Sequence, residues 1–252
     1  MRGETDMSRT QSLKIAVVLA FFAAALASMI FFSVRKTAID AKIAALSDPV
    51  LTPCAPPADS DNRRPRLYLI GDSSLTRWPT KNFAEDWETI NCSLGQEPAT
   101  RLSRRVANFE FLRPQDAVLI SSGLYDLVAA SLLDSARASE AVEQTTKVLL
   151  DLAQSANAKN GRVLLATLIP PSAPDATRRV KWREPLRDLI AQANVRLRQS
   201  TPSGRIEIVD FAAALNSDDR TTPNNYRADS LHVNAIGNKR LADAVEQALS
   251  AP

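Results

Sequence analysis

Hydrophobic and polar positions divide this chain into three stretches of different texture. From Ile15 to Val34 the sequence IAVVLAFFAAALASMIFFSV runs without a charge, bounded by Lys14 on one side and Arg35-Lys36 on the other. A helix of that length spans about 30 Å, the thickness of a bilayer core. Residues 35–46 (RKTAIDAKIAAL) can continue the helix, and Asp48 to Pro65 is rich in Pro and Asp with little apolar content, as in a stalk or linker. From Arg66 onward short apolar runs alternate with longer amphipathic ones. The runs 66–71 (RLYLIG), 87–92 (WETINC), 116–122 (DAVLISS), 162–169 (RVLLATLI) and 205–211 (RIEIVDF) predict strands, and 136–157, 178–200 and 235–249 predict helices.

Alternating strands and helices, with strands apolar along their whole length, predict a five-stranded parallel sheet covered by helices on both faces. Ligands of such sheets bind at the carboxyl ends of the strands. The expected organisation is a tail over 1–14, a transmembrane signal anchor over 15–34, a stalk over 35–65 and one folded domain over 66–252. The competing reading of the apolar run is a cleaved signal peptide, because Ala25-Leu26-Ala27 resembles a cleavage site. Against it, the run continues through Met29-Ile30-Phe31-Phe32. Basic residues flank the span evenly, with Arg2, Arg9 and Lys14 before it and Arg35, Lys36 and Lys42 after it, so charge sets no orientation. A long domain translocates largely regardless of charge. The expectation is therefore a single-pass inner membrane protein whose domain lies outside the cytoplasm, in a bacterium the periplasm.

Composition narrows the chemistry. The net charge is +3, and its basic residues are scattered rather than gathered with aromatics on one face, which argues against nucleic-acid binding. Only 7 Gly occur and no phosphate-cradling Gly-rich loop is present, so no nucleotide cofactor is expected. One His and two distant Cys exclude the usual metal motifs, and no metal or other cofactor is expected. Cys54 and Cys92 can pair in an oxidising compartment, or stay as a linker thiol and a buried one; both readings stand at this point.

The first strand ends in Gly71-Asp72-Ser73-Ser74-Leu75, which sets Ser73 where a strand turns into a helix. A nucleophilic Ser needs a base, and the base needs an orienting acid. His232 is the only histidine, and Asp229 precedes it by three residues, just before the last amphipathic helix. Ser73, His232 and Asp229 are the candidate catalytic triad.

These blocks resemble the SGNH (GDSL-type) hydrolases. The match runs from about residue 66 to 249. Gly71-Asp72-Ser73 corresponds to the first block, Ile90 to Gly95 to the second, and Asp229-x-x-His232-x-Asn234-x-x-Gly237 to the last. The resemblance implies a flavodoxin-like three-layer α/β/α sandwich, with Ser73 as nucleophile and the N–H groups of Ser73 and Gly95 in the oxyanion hole. The third block departs from the family's G-x-N-D: here it reads Gly123-Leu124-Tyr125-Asp126. A Tyr hydroxyl sits a ring farther out than an Asn amide, so Tyr125 is expected to be an aromatic wall of the site and not a replacement donor.

The implied activity is hydrolysis of small O-acyl esters, above all O-acetyl, through an acyl-enzyme, with a cell-envelope or secreted polysaccharide as the acylated substrate. The altered third block keeps open an O-acetyltransferase using the same triad, and a non-catalytic envelope scaffold is the alternative from another class. No protein partner is legible. If residues 15–34 are a signal anchor, alkaline phosphatase fused after Pro252 will be active, and the protein will stay in the membrane fraction after carbonate washing. Recovery in the soluble periplasmic fraction would instead mean cleavage.

Overall fold

Burial of every residue from Arg66 to Gly71 already points to a central strand. A computed structural model describes residues 3–46, 54, 63–78, 86–106, 108–133, 135–173 and 184–250. The chain divides into two units, Met1–Thr37 and Ala38–Pro252, each taken by itself.

The first unit belongs to helix α1, Gly3–Leu46. Its side chains Phe21, Phe22, Met29 and Phe32 are all exposed. The part of α1 from Gln11 to Ala44 is long and apolar enough to cross a membrane, a test that a signal sequence also passes. Residues 35–46 of the expected stalk are helical, while 47–53 and 55–62 lie outside the described residues.

The second unit holds strands β1 (Arg66–Gly71), β2 (Glu88–Asn91), β3 (Ala117–Ser121), β4 (Arg162–Ala166) and β5 (Ile206–Val209). All pair in parallel in the order β2-β1-β3-β4-β5. This is the flavodoxin-like arrangement. The strand period of two sorts the side chains into two cores. Tyr68, Ile70, Val118, Ile120, Val163 and Leu165 share one cluster with residues of α3 (Ala99–Arg105), α4 (Leu124–Leu133), α5 (Ala138–Asn157) and α6 (Glu184–Gln199). Leu67, Leu69, Ala117, Leu119, Leu164 and Ala166 share the other with residues of α2 (Ser73–Thr76), α7 (Phe211–Ala214) and α8 (Ala235–Ser250). The fold is thus the expected three-layer α/β/α sandwich with a five-stranded parallel sheet, together with one apolar N-terminal helix.

β1 keeps its predicted bounds, while the other strands stop earlier than their apolar runs predict; for β4 and β5 side chains explain it. β4 ends at Ala166 because the Asn194 side chain takes over the backbone of Leu168, accepting from its N–H at 2.8 Å and donating to its carbonyl at 2.9 Å. β5 ends at Val209 because Asp210 caps α7, accepting from the Ala213 N–H at 3.0 Å. Of the helix predicted over 178–200, residues 184–199 are helical and 178–183 lie outside the described residues. Helix α4 escapes a periodicity search because its sequence, LYDLVAASLL, is apolar on most sides.

Cys54 and Cys92 form a disulfide, with Cα atoms 5.5 Å apart. The loop it closes, 38 residues in sequence separation, restrains the unfolded chain by about 4 kcal/mol in the chain-entropy account.

At Gly71 β1 lies tight against the end of β3. A Cβ there would lie 1.9 Å from the carbonyl oxygen of Ser121, a backbone atom that cannot step aside cheaply. Gly71→Ala is therefore expected to cost about 1–3 kcal/mol, typical of overpacking, read as a lower urea midpoint. An unchanged midpoint would show that the two strand ends can part freely.

Candidate active site

At the carboxyl end of β1 the chain turns sharply into α2. Asp72 donates its N–H to the Ser121 carbonyl at 3.1 Å, and its side chain accepts from the Ser74 N–H at 2.9 Å. This N-cap starts α2 at Ser73. The Ser74 and Ser121 hydroxyls meet at 3.0 Å, tying the turn to the end of β3. Ser73 thereby stands at the sheet edge where parallel sheets bind ligands.

The D-x-x-H-x-N-x-x-G run folds as it does for physical reasons. Asp229 accepts from the backbone N–H groups of Leu231 and His232, each at 2.7 Å, through one carboxylate oxygen. Its other oxygen contacts His232 Nδ1 at 2.8 Å. Asn234 accepts from the Gly237 N–H at 2.9 Å, capping α8. Gly237 admits no side chain, because a Cβ would lie 2.7 Å from the Tyr226 carbonyl and 2.1 Å from a Val233 methyl. Arg227, buried, donates to the carbonyls of Leu231 and Pro170 and so braces the loop from within. Burial pulls its pKa down to about 10.

Electrostatics separate the two site carboxyls. For Asp229 burial pushes the pKa up, but the backbone and side-chain bonds to His232 and the Leu231 N–H outweigh it and bring it down to about 2. An ionised Asp229 only accepts, so Nδ1 of His232 carries the proton and Nε2 is the ring's available base. Asp72 goes the other way. Burial raises its carboxyl to about 6 against the opposing bonds from Ser74.

Ser73 and His232 line one cavity of about 30 Å³, walled by Leu124, Leu168, Ile169 and Leu231. Ser121 and Ser122, in the apolar run of the third strand, line it too; only their place at a strand end could have marked them in advance. Asp229 stands behind His232 and is not part of the lining. Gly95 is exposed in the turn after β2, a segment joined to the end of β1 by the Leu94 N–H on the Gly71 carbonyl at 3.0 Å. Tyr125 does not line the cavity. Its ring is buried in the first turn of α4, with its hydroxyl near the Ser73 side chain. Burial nevertheless raises the phenol pKa, which keeps the proton on it. Asp126, the last residue of the third block, is engaged elsewhere: it accepts from the Ala99 N–H at 2.6 Å and the Thr100 hydroxyl at 3.0 Å and so starts α3. Among the described residues no group of His, Cys, Asp and Glu is arranged to hold a metal ion.

No protein-family model matches the sequence, and no curated protein matches it either. Several solved structures share its fold. A proposed platelet activating factor from Streptococcus pneumonia aligns with a TM-score of 0.61 at 14% identity, over 91% of this chain and 99% of its own. A GDSL-like lipase from Bacteroides thetaiotaomicron aligns at 0.53 and 18% identity, over 87% and 98%. A proposed SGNH hydrolase from Slackia heliotrinireducens aligns at 0.55 and 16%, over 74% and 100%. At these identities the likeness is one of fold.

The pKa of Asp72 has a consequence for stability. A carboxyl raised from 3.8 to about 6 on folding favours the native state below about pH 4, and that contribution is lost as pH rises through 6. Asp72→Asn keeps an acceptor for the Ser74 N–H without the buried charge. Its unfolding midpoint should exceed that of the parent above pH 6 and converge with it below about pH 4. Midpoints running parallel over that range would mean that Asp72 is not shifted.

Proposed function

We infer that this chain is a serine ester hydrolase of the SGNH kind, held to the inner membrane by residues 15–34. On this reading it removes short O-acyl groups, O-acetyl above all, from a cell-envelope or secreted polysaccharide in the periplasm. The observation that carries the inference is the sharing of one cavity by Ser73 and His232, with Asp229 on the far nitrogen of the imidazole. Similarity of fold to a GDSL-like lipase is in keeping with it. The catalytic unit is taken as 66–252, with 1–14 as tail and 35–65 as stalk.

In the proposed reaction Ser73 Oγ attacks the acyl carbonyl while His232 Nε2 takes the hydroxyl proton. Asp229 steadies the imidazolium and keeps the productive tautomer. The N–H groups of Ser73 and Gly95 receive the oxyanion. Collapse expels the sugar oxygen, which takes the proton from His232 and leaves an acyl-Ser73 ester. Water then attacks that ester with the same base, and carboxylic acid departs as Ser73 regains its proton.

The cavity's apolar walls at Leu124, Leu168, Ile169 and Leu231 suit an acyl group. The disulfide supports the location, since such bonds persist in oxidising compartments and are rare in the cytosol.

The full-length protein in detergent should react with a fluorophosphonate probe and hydrolyse p-nitrophenyl acetate. Ser73→Ala should abolish labelling, and Ser73→Ala and His232→Ala should each lower kcat by more than about 10³, because triad members act as a unit. Activity on the octanoate ester should fall at least about tenfold below that on acetate. Equal labelling of Ser73→Ala and the parent would overturn the assignment.

A further inference from the structure

Arg105 lies in the last turn of α3, with its side chain only 2% exposed, and its partner Glu97 is 1% exposed. The guanidinium donates from Nε to Glu97 Oε1 at 2.9 Å and from Nη2 to Oε2 at 2.6 Å, a bidentate fork. The same Nη2 donates to the carbonyl of Cys92 at 3.0 Å. Cys92 and Glu97 are the two ends of the segment that leads from β2 towards α3. One buried cation therefore fastens both ends.

Between those ends lies Gly95. It is exposed, and a Cβ built on it would meet nothing within 4 Å, so on that side the segment is held only through its anchored neighbours. Those anchors reach the cavity. Ser122, which lines it, donates its hydroxyl to the Glu97 carbonyl at 3.2 Å. Ser93 donates its hydroxyl to the Leu69 carbonyl of β1 at 3.2 Å. Cys92 is further held by its disulfide to Cys54. As a stabilising device a buried ion pair is poor, since apolar residues of similar volume often do as well or better. What the pair provides is fixed geometry.

We propose that Arg105 is a positioning residue for the site: by clamping Cys92 and Glu97 it holds the Gly95 N–H where the oxyanion forms. The proposal rests on the esterase reading above. A lysine ammonium in its place would be a single point charge and could not hold carboxylate and carbonyl in one planar fork.

The test uses the full-length protein in detergent and two variants. Arg105→Lys removes the fork, and the double variant Arg105→Met with Glu97→Leu replaces the pair by apolar groups that leave no uncompensated charge. Melting, kcat and KM on p-nitrophenyl acetate, and the rate of fluorophosphonate labelling are measured. Loss of a whole oxyanion donor lowers kcat by about 10²–10³. A misdirected donor should therefore lower kcat about 10- to 100-fold in both variants, with KM within about threefold, labelling slowed in step and cooperative melting retained in the double variant. A folded double variant with kcat within about twofold of the parent overturns the clamp and leaves the esterase reading intact. Loss of cooperative melting in both variants also overturns it, because the pair would then belong to the folding core. A parent protein that neither reacts nor hydrolyses overturns the esterase reading, and the clamp with it.

Discussion

The N–H of Asp72 meets the carbonyl of Ser121 across a gap too narrow for a side chain at Gly71. That approach of β1 and β3 sets the rest of the candidate site. It aims the chain into α2 with Asp72 as cap and Ser73 as first residue, and it brings Ser121 and Ser122 alongside. The segment after β2 is fixed relative to it, since Leu94 hangs from Gly71, while Asn194 of α6 captures Leu168 beyond β4. A parallel sheet makes this economical, because neighbouring strands end on the same side and each contributes one or two residues to a common edge.

The two carboxyls at this edge divide along physical lines. Asp229 is ringed by donors and stays ionised at low pH, as a residue that orients an imidazole must. Asp72 is buried with fewer donors and holds its proton far longer. Between about pH 2 and 6 identical side chains thus take different charge states within one site; the deeper burial of Asp72 comes first, and the N–H groups facing Asp229 widen the gap.

Much of this was legible in the amino-acid sequence, for reasons that can be named. Strands buried on both faces must be apolar throughout, so Leu67 to Ile70 and Val118 to Ile120 announce a parallel sheet. Asn234 and Gly237 are demanded by a cap and a close approach, so the run from Asp229 to Gly237 is readable as a unit. The ends of β4 and β5 were not legible, because they depend on Asn194 and Asp210 side chains meeting distant backbone. Pairing of Cys54 with Cys92 was open for the same reason: spacing alone cannot bring two thiols together. Tyr125 shows the limit most clearly. Its position follows from the motif, but the nearness of its hydroxyl to Ser73 depends on how far α4 sinks into the core.

Ser73 stands near the start of the folded unit and His232 near its end, on the loop that leads into α8, the last helix. During synthesis the serine leaves the ribosome long before its partner histidine exists. Neither residue has a chemical counterpart until the whole sheet has formed and α8 has docked against Leu67, Leu69 and Leu164. On the proposed esterase reading, a nascent or truncated chain carries an ordinary alcohol and no reactive centre, so chain order itself keeps the chemistry silent until α8 is in place.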